Sequence, residues 1–264
     1  FTKRIRFIFG TDEETLWRCM NRYNQIEEQA DLGFAPDSSF PLTYAEKGLL
    51  QVKLHGPGWD DLPLQAGQAL NVVPDKATYA GHRLEELLPV LDQSGVQYSQ
   101  TEDSVTVLGV SKHSKDAAEG VNAIVGLAES LSLIQPHPAL LFIADAVGED
   151  ATGEALFGRI TDEPSGDLSF NLATLVIDQE QSEIGIDIRI PVLADKDALV
   201  ARLQEIAASY QLEYEEFDYL APLYVPLDSP LVSSLMAVYQ EETGDKTPAM
   251  SSGGATFART MENC

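Results

Sequence analysis

The chain has 264 residues, 44% of them hydrophobic, with 42 acidic against 17 basic side chains and a formal charge of −25. That charge repels phosphate backbones, which argues against a nucleic-acid partner, and otherwise serves solubility. The apolar share excludes a disordered acidic tail and supports a sizeable core in one large or two moderate domains. No apolar run approaches the ~20 residues of a membrane span and no basic, apolar leader opens the chain, so a cytoplasmic location without a membrane partner is expected. Cys19 and Cys264 stand far apart, without zinc-ligand spacing or the density of a disulfide scaffold.

In chain order, the apolar run Ile5, Phe7, Ile8, Phe9 predicts a strand at 3–9, followed by Gly10-Thr11-Asp12-Glu13-Glu14. A helix is expected over 13–29 with Glu13 and Glu14 in its first turn, where unpaired N–H groups and the helix dipole favour carboxylates. Strands are expected at 49–55, 69–73, 98–101 and 104–110, with helices at 83–93 and 115–132. A helical stretch at 139–147 then precedes strands at 170–178, 183–190 and 211–217, with a helix at 195–209. The recurrence of β-β-α order suggests an α+β insert of two related sheet-and-helix units. A helix at 229–243 and the loop Thr247 to Thr256 read as a return to the first domain. The chain starts inside an expected strand and ends without a terminating signal, so an internal fragment of a longer protein is expected.

Arg6-Phe7-Ile8-Phe9-Gly10-Thr11-Asp12-Glu13-Glu14, Gly33-Phe34-Ala35-Pro36-Asp37, Asn71-Val72-Val73-Pro74, Gly109-Val110-Ser111-Lys112-His113-Ser114, Asp187-Ile188-Arg189-Ile190-Pro191 and Gly253-Gly254-Ala255-Thr256-Phe257-Ala258-Arg259 occur in this order. Together they resemble PepV-type dipeptidases, Xaa-His dipeptidase or carnosinase-like enzymes. These belong to the dinuclear zinc metallopeptidase superfamily that includes acetylornithine deacetylase and succinyl-diaminopimelate desuccinylase. The resemblance implies an α/β fold, with part of an α/β/α catalytic domain at 1–46, an α+β lid of two ferredoxin-like halves at 47–220, and a second, truncated part of the catalytic domain at 221–264.

It also implies roles. Glu13 resembles the general base, Glu14 a zinc ligand and Asp37 the ligand of a second zinc; two ions complete such a site, with manganese or cobalt as alternative divalent metals. For the glutamates the competing reading is an ordinary acidic helix start, and for Asp37 a Pro-Asp-Ser turn or helix cap. His113 resembles a lid histidine that stabilises the developing oxyanion; read alone it is a solvated loop side chain. Arg189 resembles the residue that holds a substrate's C-terminal carboxylate, and a salt bridge to Asp187 is its competing use. Asn71 resembles a substrate-binding residue, with Gly253 and Gly254 letting backbone N–H groups approach the bound molecule. Their ordinary uses are a strand-end turn and a tight loop before a helix.

The family's His-x-Asp ligand motif is not in this sequence, and His55, His82, His113 and His137 all fall within the expected insert. The reading is therefore a zinc-dependent dipeptidase acting on small peptides with a free carboxylate, monomeric at full length and inactive as this piece. An N-acyl amino acid deacylase is the rival within the same chemistry. A non-catalytic binding module is the rival outside it.

Overall fold

The computed structural model describes residues 3–13 and 17–261. The chain divides into two compact units, Gly48–Leu220 and the pair of segments Phe1–Lys47 and Ala221–Cys264. The mixed α/β class expected from the sequence holds in both.

In the inner unit, β1 (Gly48–Pro57), β2 (Leu64–Ala66), β3 (Lys76–Tyr79), α1 (Leu84–Ser94), β4 (Tyr98–Gln100), β5 (Val105–Leu108) and α2 (Ala123–Ser132) follow one another. Then come α3 (Pro138–Leu141), continued as a π-turn over Phe142–Val147, followed by β6 (Ser169–Ile177), β7 (Gln181–Ile190), α4 (Lys196–Ser209) and β8 (Glu213–Leu220). The larger sheet has the order β8-β1-β7-β6-β2, antiparallel throughout. With α3 between β1 and β6 and α4 between β7 and β8, this is the βαββαβ arrangement of a ferredoxin-like fold, fourth strand beside first and third beside second. The smaller sheet, β3-β5-β4, repeats the order first, third, second with α1 and α2 as its helices. It is nested inside the larger unit between β2 and α3. The expected β-β-α repeat is thus a nested pair.

Alternation explains the layers. Ile184, Ile186, Ile188 and Ile190 of β7 lie on one face with Leu50, Val52 and Leu54 of β1, and all are buried in one core with Tyr79, Leu87, Leu91, Ile124 and Leu131. Glu183, Asp187 and Arg189 alternate with them and face the other way. Asp195 starts α4 by accepting N–H bonds from Asp197 (3.0 Å) and Ala198 (3.1 Å), and Asn122 does the same for α2.

The outer unit holds a three-stranded sheet in which Thr43–Glu46 runs antiparallel to Leu223–Tyr224 and parallel to Met250–Ser252. Its helix Pro230–Thr243 starts on Ser229 and Pro230 and ends at left-handed Gly244. The helix expected at 13–29 runs from Arg18 to Ile26. The Asp12 carboxylate accepts from the N–H groups of Arg18 (2.9 Å) and Cys19 (3.2 Å), while Trp17 is left-handed at φ 49°. Asp12 is therefore the acid at this helix start, not Glu13, and Glu14 lies outside the described residues. The Cys19 thiol first, then the Arg18 guanidinium and these two N–H bonds, hold Asp12 well below the usual carboxylate range against the opposing effect of desolvation.

Two expected strands differ. Residues 3–9 form no ladder among the described residues and leave Ile5, Phe7 and Phe9 exposed; a strand exists only through pairing. The stretch 69–73 is a turn ahead of Pro74, which donates no ladder bond, and β3 begins at Lys76.

Two glycines separate backbone strain from collision. Gly67 (φ +79°) follows β2, and a Cβ there would lie 2.0 Å from the Ala173 carbonyl oxygen, whereas Gly95 (φ +76°) ends α1 with nothing within 4 Å. Gly95→Ala should cost about 1 kcal/mol. Gly67→Ala should cost distinctly more, because backbone must move as well; urea unfolding of the two variants checks the order.

Candidate functional site

The polar face of the larger sheet carries a buried network. Asp187 of β7 is paired across the ladders with Gln51 of β1 and Asn171 of β6, and Arg189 stands one rung further, beside Ser169. Arg189 is 4% exposed and Asp187 fully buried. The guanidinium grips the carboxylate with two donors, Nε to Oδ1 at 2.7 Å and Nη2 to Oδ2 at 3.1 Å, and Gln51 Nε2 donates to Oδ2 at 3.0 Å. The salt-bridge use of Arg189 is therefore realised, in the bidentate geometry that suits a planar fork.

Arg189 also reaches the loop that carries His113. Its Nη2 donates to Ser114 Oγ at 3.0 Å, and Ser169 Oγ donates to the Ser114 carbonyl. The Ser114 N–H donates to the carbonyl of Asn71 at 2.9 Å, and Val73 N–H to Lys112 O at 2.8 Å. Asn171 Nδ2 donates to the carbonyls of Leu70 and Val72, both at 3.0 Å. Asn71, His113 and Arg189, separated widely in sequence, thus meet around the fully buried Ser114.

His113 starts the 3₁₀ turn Ser114–Glu119 by accepting the Lys115 N–H on Nδ1 at 3.2 Å. A lone pair at Nδ1 places the proton of the neutral ring on Nε2, so the exposed edge is a donor. Partial desolvation first, then the positive charges of Arg189 and Lys115, push this imidazole below its ordinary value, against a weaker pull from Asp187 and Asp116. Of the other histidines, His55 bonds Glu215 at 2.7 Å, and His137 is buried with Nδ1 accepting from Ala139 N–H. Burial likewise lowers His137.

In the outer unit, Glu13 is half-buried, with its carbonyl accepting from Trp17 Nε1, and Asp37 is exposed in the turn before Ser38. The Gly253-Gly254 loop follows the strand Met250–Ser252 and is fixed by a second buried ion pair. Glu46 accepts from Thr256 Oγ1 (2.7 Å), Thr256 N–H (3.2 Å) and Arg259 Nε (2.8 Å), while Arg259 Nη2 donates to Gly254 O at 2.9 Å. The Gly254 N–H donates to Ser252 Oγ at 3.0 Å, so this amide is already engaged within the loop.

No group of three or more His, Cys, Asp or Glu side chains able to hold a metal forms among the described residues. All four histidines lie in the inner unit, and the carboxylates of the outer unit alone do not fit the imidazole-containing donor set of a dinuclear zinc centre. Gln51, Ser169, Asn171 and Glu46 lie outside the quoted motifs, and Ser114, although inside one of them, carried no assigned role. The available signal is polarity at alternate positions of apolar strands, as in Phe170-Asn171-Leu172 and Ile186-Asp187-Ile188-Arg189-Ile190.

No family model matches the chain. It is 34% identical to "Putative dipeptidase YtjP" of Bacillus subtilis (strain 168) over 284 residues, covering 99% of this chain and 61% of that protein. It is 30% identical to "Putative dipeptidase SH1171" of Staphylococcus haemolyticus (strain JCSC1435), covering 98% of this chain and again 61% of the relative. The chain therefore spans 61% of the length of these curated relatives, and the resemblance to dipeptidases read from the motifs is borne out. Among solved structures, the aminoacylhistidine dipeptidase from Vibrio alginolyticus matches with a TM-score of 0.44 at 10% identity, over 83% of this chain and 54% of that one. An M20 family metallo-carboxypeptidase, Sso-CP2 from Sulfolobus solfataricus, matches with a TM-score of 0.38 at 13% identity, over 92% and 55%.

Asp187→Asn leaves the buried Arg189 guanidinium without its counter-charge and should cost about 3–5 kcal/mol. Lys53→Met, which breaks the partly exposed pair with Glu183 (3.1 Å), should cost under about 1 kcal/mol; urea midpoints compare them. In a ¹⁵N NMR titration His113 should stay neutral to lower pH than an ordinary imidazole, as the Nε2–H tautomer. Because its folded value is lowered, the stability it contributes is complete above about pH 6.5 and is lost as pH falls through the folded value.

Proposed function

We propose that this chain is the greater part of a metal-dependent dipeptidase, zinc-dependent with two ions per complete site, and that Gly48–Leu220 is its substrate-covering lid. The observation that carries the reading is the convergence of Asn71, His113 and Arg189 on Ser114, in a chain aligned almost end to end with proteins named as dipeptidases. The ligand set lies partly beyond the described residues. Glu14 and Asp37 are the ligands this chain would contribute, and the others must come from the remaining length of the protein.

In this reading Glu13 is the base that takes the proton from the attacking water and returns it to the leaving amine. His113, neutral and with Nδ1 held by Lys115 N–H, presents Nε2–H to the oxygen on which negative charge develops. Arg189, paired with Asp187 and bonded to Ser114, is the residue proposed to select a substrate with a free C-terminal carboxylate, a role that requires the peptide to take over part of its present bonding, and Asn71 adds a hydrogen bond to the same molecule. Gly253 and Gly254, without side chains, let the backbone approach the peptide closely, although the Gly254 N–H is itself engaged by Ser252 Oγ. The acidic surface disfavours nucleic acid as a partner, and no helix among the described residues is long and apolar enough to cross a membrane. We place the full-length protein in the cytoplasm as a monomer.

The test is hydrolysis of an unmodified dipeptide by the full-length protein with and without a chelator. Activity should vanish on chelation and return with zinc. Glu13→Ala should lower kcat by about 10²–10⁴, and His113→Ala by about 10²–10³. Activity should also fall as pH drops through the lowered His113 value, because protonation removes the Nδ1 acceptor that holds the loop. Turnover of an N-acetyl amino acid in preference to the dipeptide would replace this reading by the deacylase; retained activity after chelation and in Glu13→Ala would overturn it.

A further inference from the structure

Partial desolvation first, then the charges of Arg189 and Lys115, disfavour the imidazolium form of His113. The neutral ring has two tautomers, and the one present is set by the bond in which Nδ1 accepts the Lys115 N–H at 3.2 Å. That distance is at the long end of the usual range, so the bond tolerates little rotation of its donor. What fixes the donor therefore fixes the edge that the histidine exposes.

The Lys115 N–H belongs to the peptide group that begins at the Ser114 carbonyl. This peptide is trans, so its C=O and N–H share one plane and point in opposite directions. Ser169 Oγ donates to the Ser114 carbonyl, and a grip on that oxygen directs the N–H on the other side of the plane. Ser169 is buried on β6, 55 residues further along the chain and directly across the ladder from Arg189. It therefore acts from a strand paired within a five-stranded sheet. The preceding peptide group is held separately: the Ser114 N–H donates to Asn71 O at 2.9 Å, and His113 O accepts the Asp116 N–H at 2.8 Å. The bond from Arg189 Nη2 to Ser114 Oγ at 3.0 Å ends on a side chain that turns about its own χ1, so it leaves the plane after Ser114 to Ser169.

We propose that Ser169 is a positioning residue for His113, acting through the peptide group between Ser114 and Lys115 to keep the imidazole in its Nε2–H tautomer. Its catalytic consequence rests on the reading of His113 as donor to the developing oxyanion, whereas the tautomer is a property of the folded chain. A hydroxyl from a neighbouring strand thus does for this histidine, through one peptide plane, what a directly bonded partner does elsewhere.

The test is ¹⁵N NMR of the 264-residue chain and of Ser169→Ala at about pH 8, above the ordinary imidazole value of about 6.5, with dipeptide kinetics of the same variant in the full-length protein. The unchanged chain should show His113 protonated at Nε2 and bare at Nδ1. Ser169→Ala should shift the Lys115 amide and bring the two ring nitrogens toward an averaged signature. Ser169→Thr, which keeps the hydroxyl on a residue suited to a strand, should retain the original one. In the full-length protein Ser169→Ala should lower kcat about tenfold with KM unchanged, a fraction of the about 10²–10³ lost with the donor itself. It should cost nothing further in the His113→Ala background. An unaltered ring signature in Ser169→Ala, an averaged one in Ser169→Thr, or an equal loss of kcat with and without His113 would overturn the proposal. If the full-length protein hydrolyses no dipeptide, the oxyanion reading falls, and the ring signature by itself decides the role of Ser169.

Discussion

The organisation of the inner unit turns on the ion pair between Arg189 and Asp187. Two oppositely charged groups at alternate positions of one strand project from the same face, so they can neutralise each other only if that face is closed over them. The closing is done by the segment from His113 to Glu119, whose Ser114 accepts the guanidinium's further bond. A buried guanidinium is tolerated because its donors are matched to a carboxylate, itself steadied by Gln51, and to a hydroxyl. The position of His113 is thus a consequence of satisfying Arg189.

The two faces of β7 divide the work of stability from that of placement. The isoleucines fuse the sheet to α3 and α4 in a dry core that supplies the hydrophobic driving force. The opposite face supplies little net stabilisation, since burying a charge pair roughly cancels its own gain. Its value lies in direction: hydrogen bonds fix angles that apolar packing leaves free, and Asn171, Ser169 and Gln51 each fix one more backbone or side-chain orientation.

The outer unit uses the same device independently. Glu46, buried at the end of the strand Thr43–Glu46, gathers Thr256 and Arg259, and Arg259 in turn holds the carbonyl of Gly254. In each unit a loop with the residue types of a substrate-binding segment is fastened by a buried arginine and a carboxylate on a strand. A fork that is always charged, with several donors in fixed geometry, can tie distant backbone segments together in a way that lysine cannot.

The strand expected at 183–190 and the helices expected at 195–209 and 229–243 were legible locally because each depends on a period or a neighbour a few residues away. The mixed α/β class and the dipeptidase resemblance followed from residues in linear order. What the linear order could not give was pairing. The apolar run at 3–9 has strand composition yet no ladder among the described residues. Asp12, rather than the following glutamates, became the acid at the helix start because Trp17 turns the chain back onto it. Ser114 stood in the sequence only as the end of the His113 motif, without a role of its own, since a small hydroxyl acquires meaning only from what reaches it, here Asn71 from 43 residues away and Arg189 from 75. The sequence determined which residues are charged, apolar or able to cap; the tertiary structure decided which charges are neutralised and which loops they fasten, because burial and partnership are properties of the assembled chain.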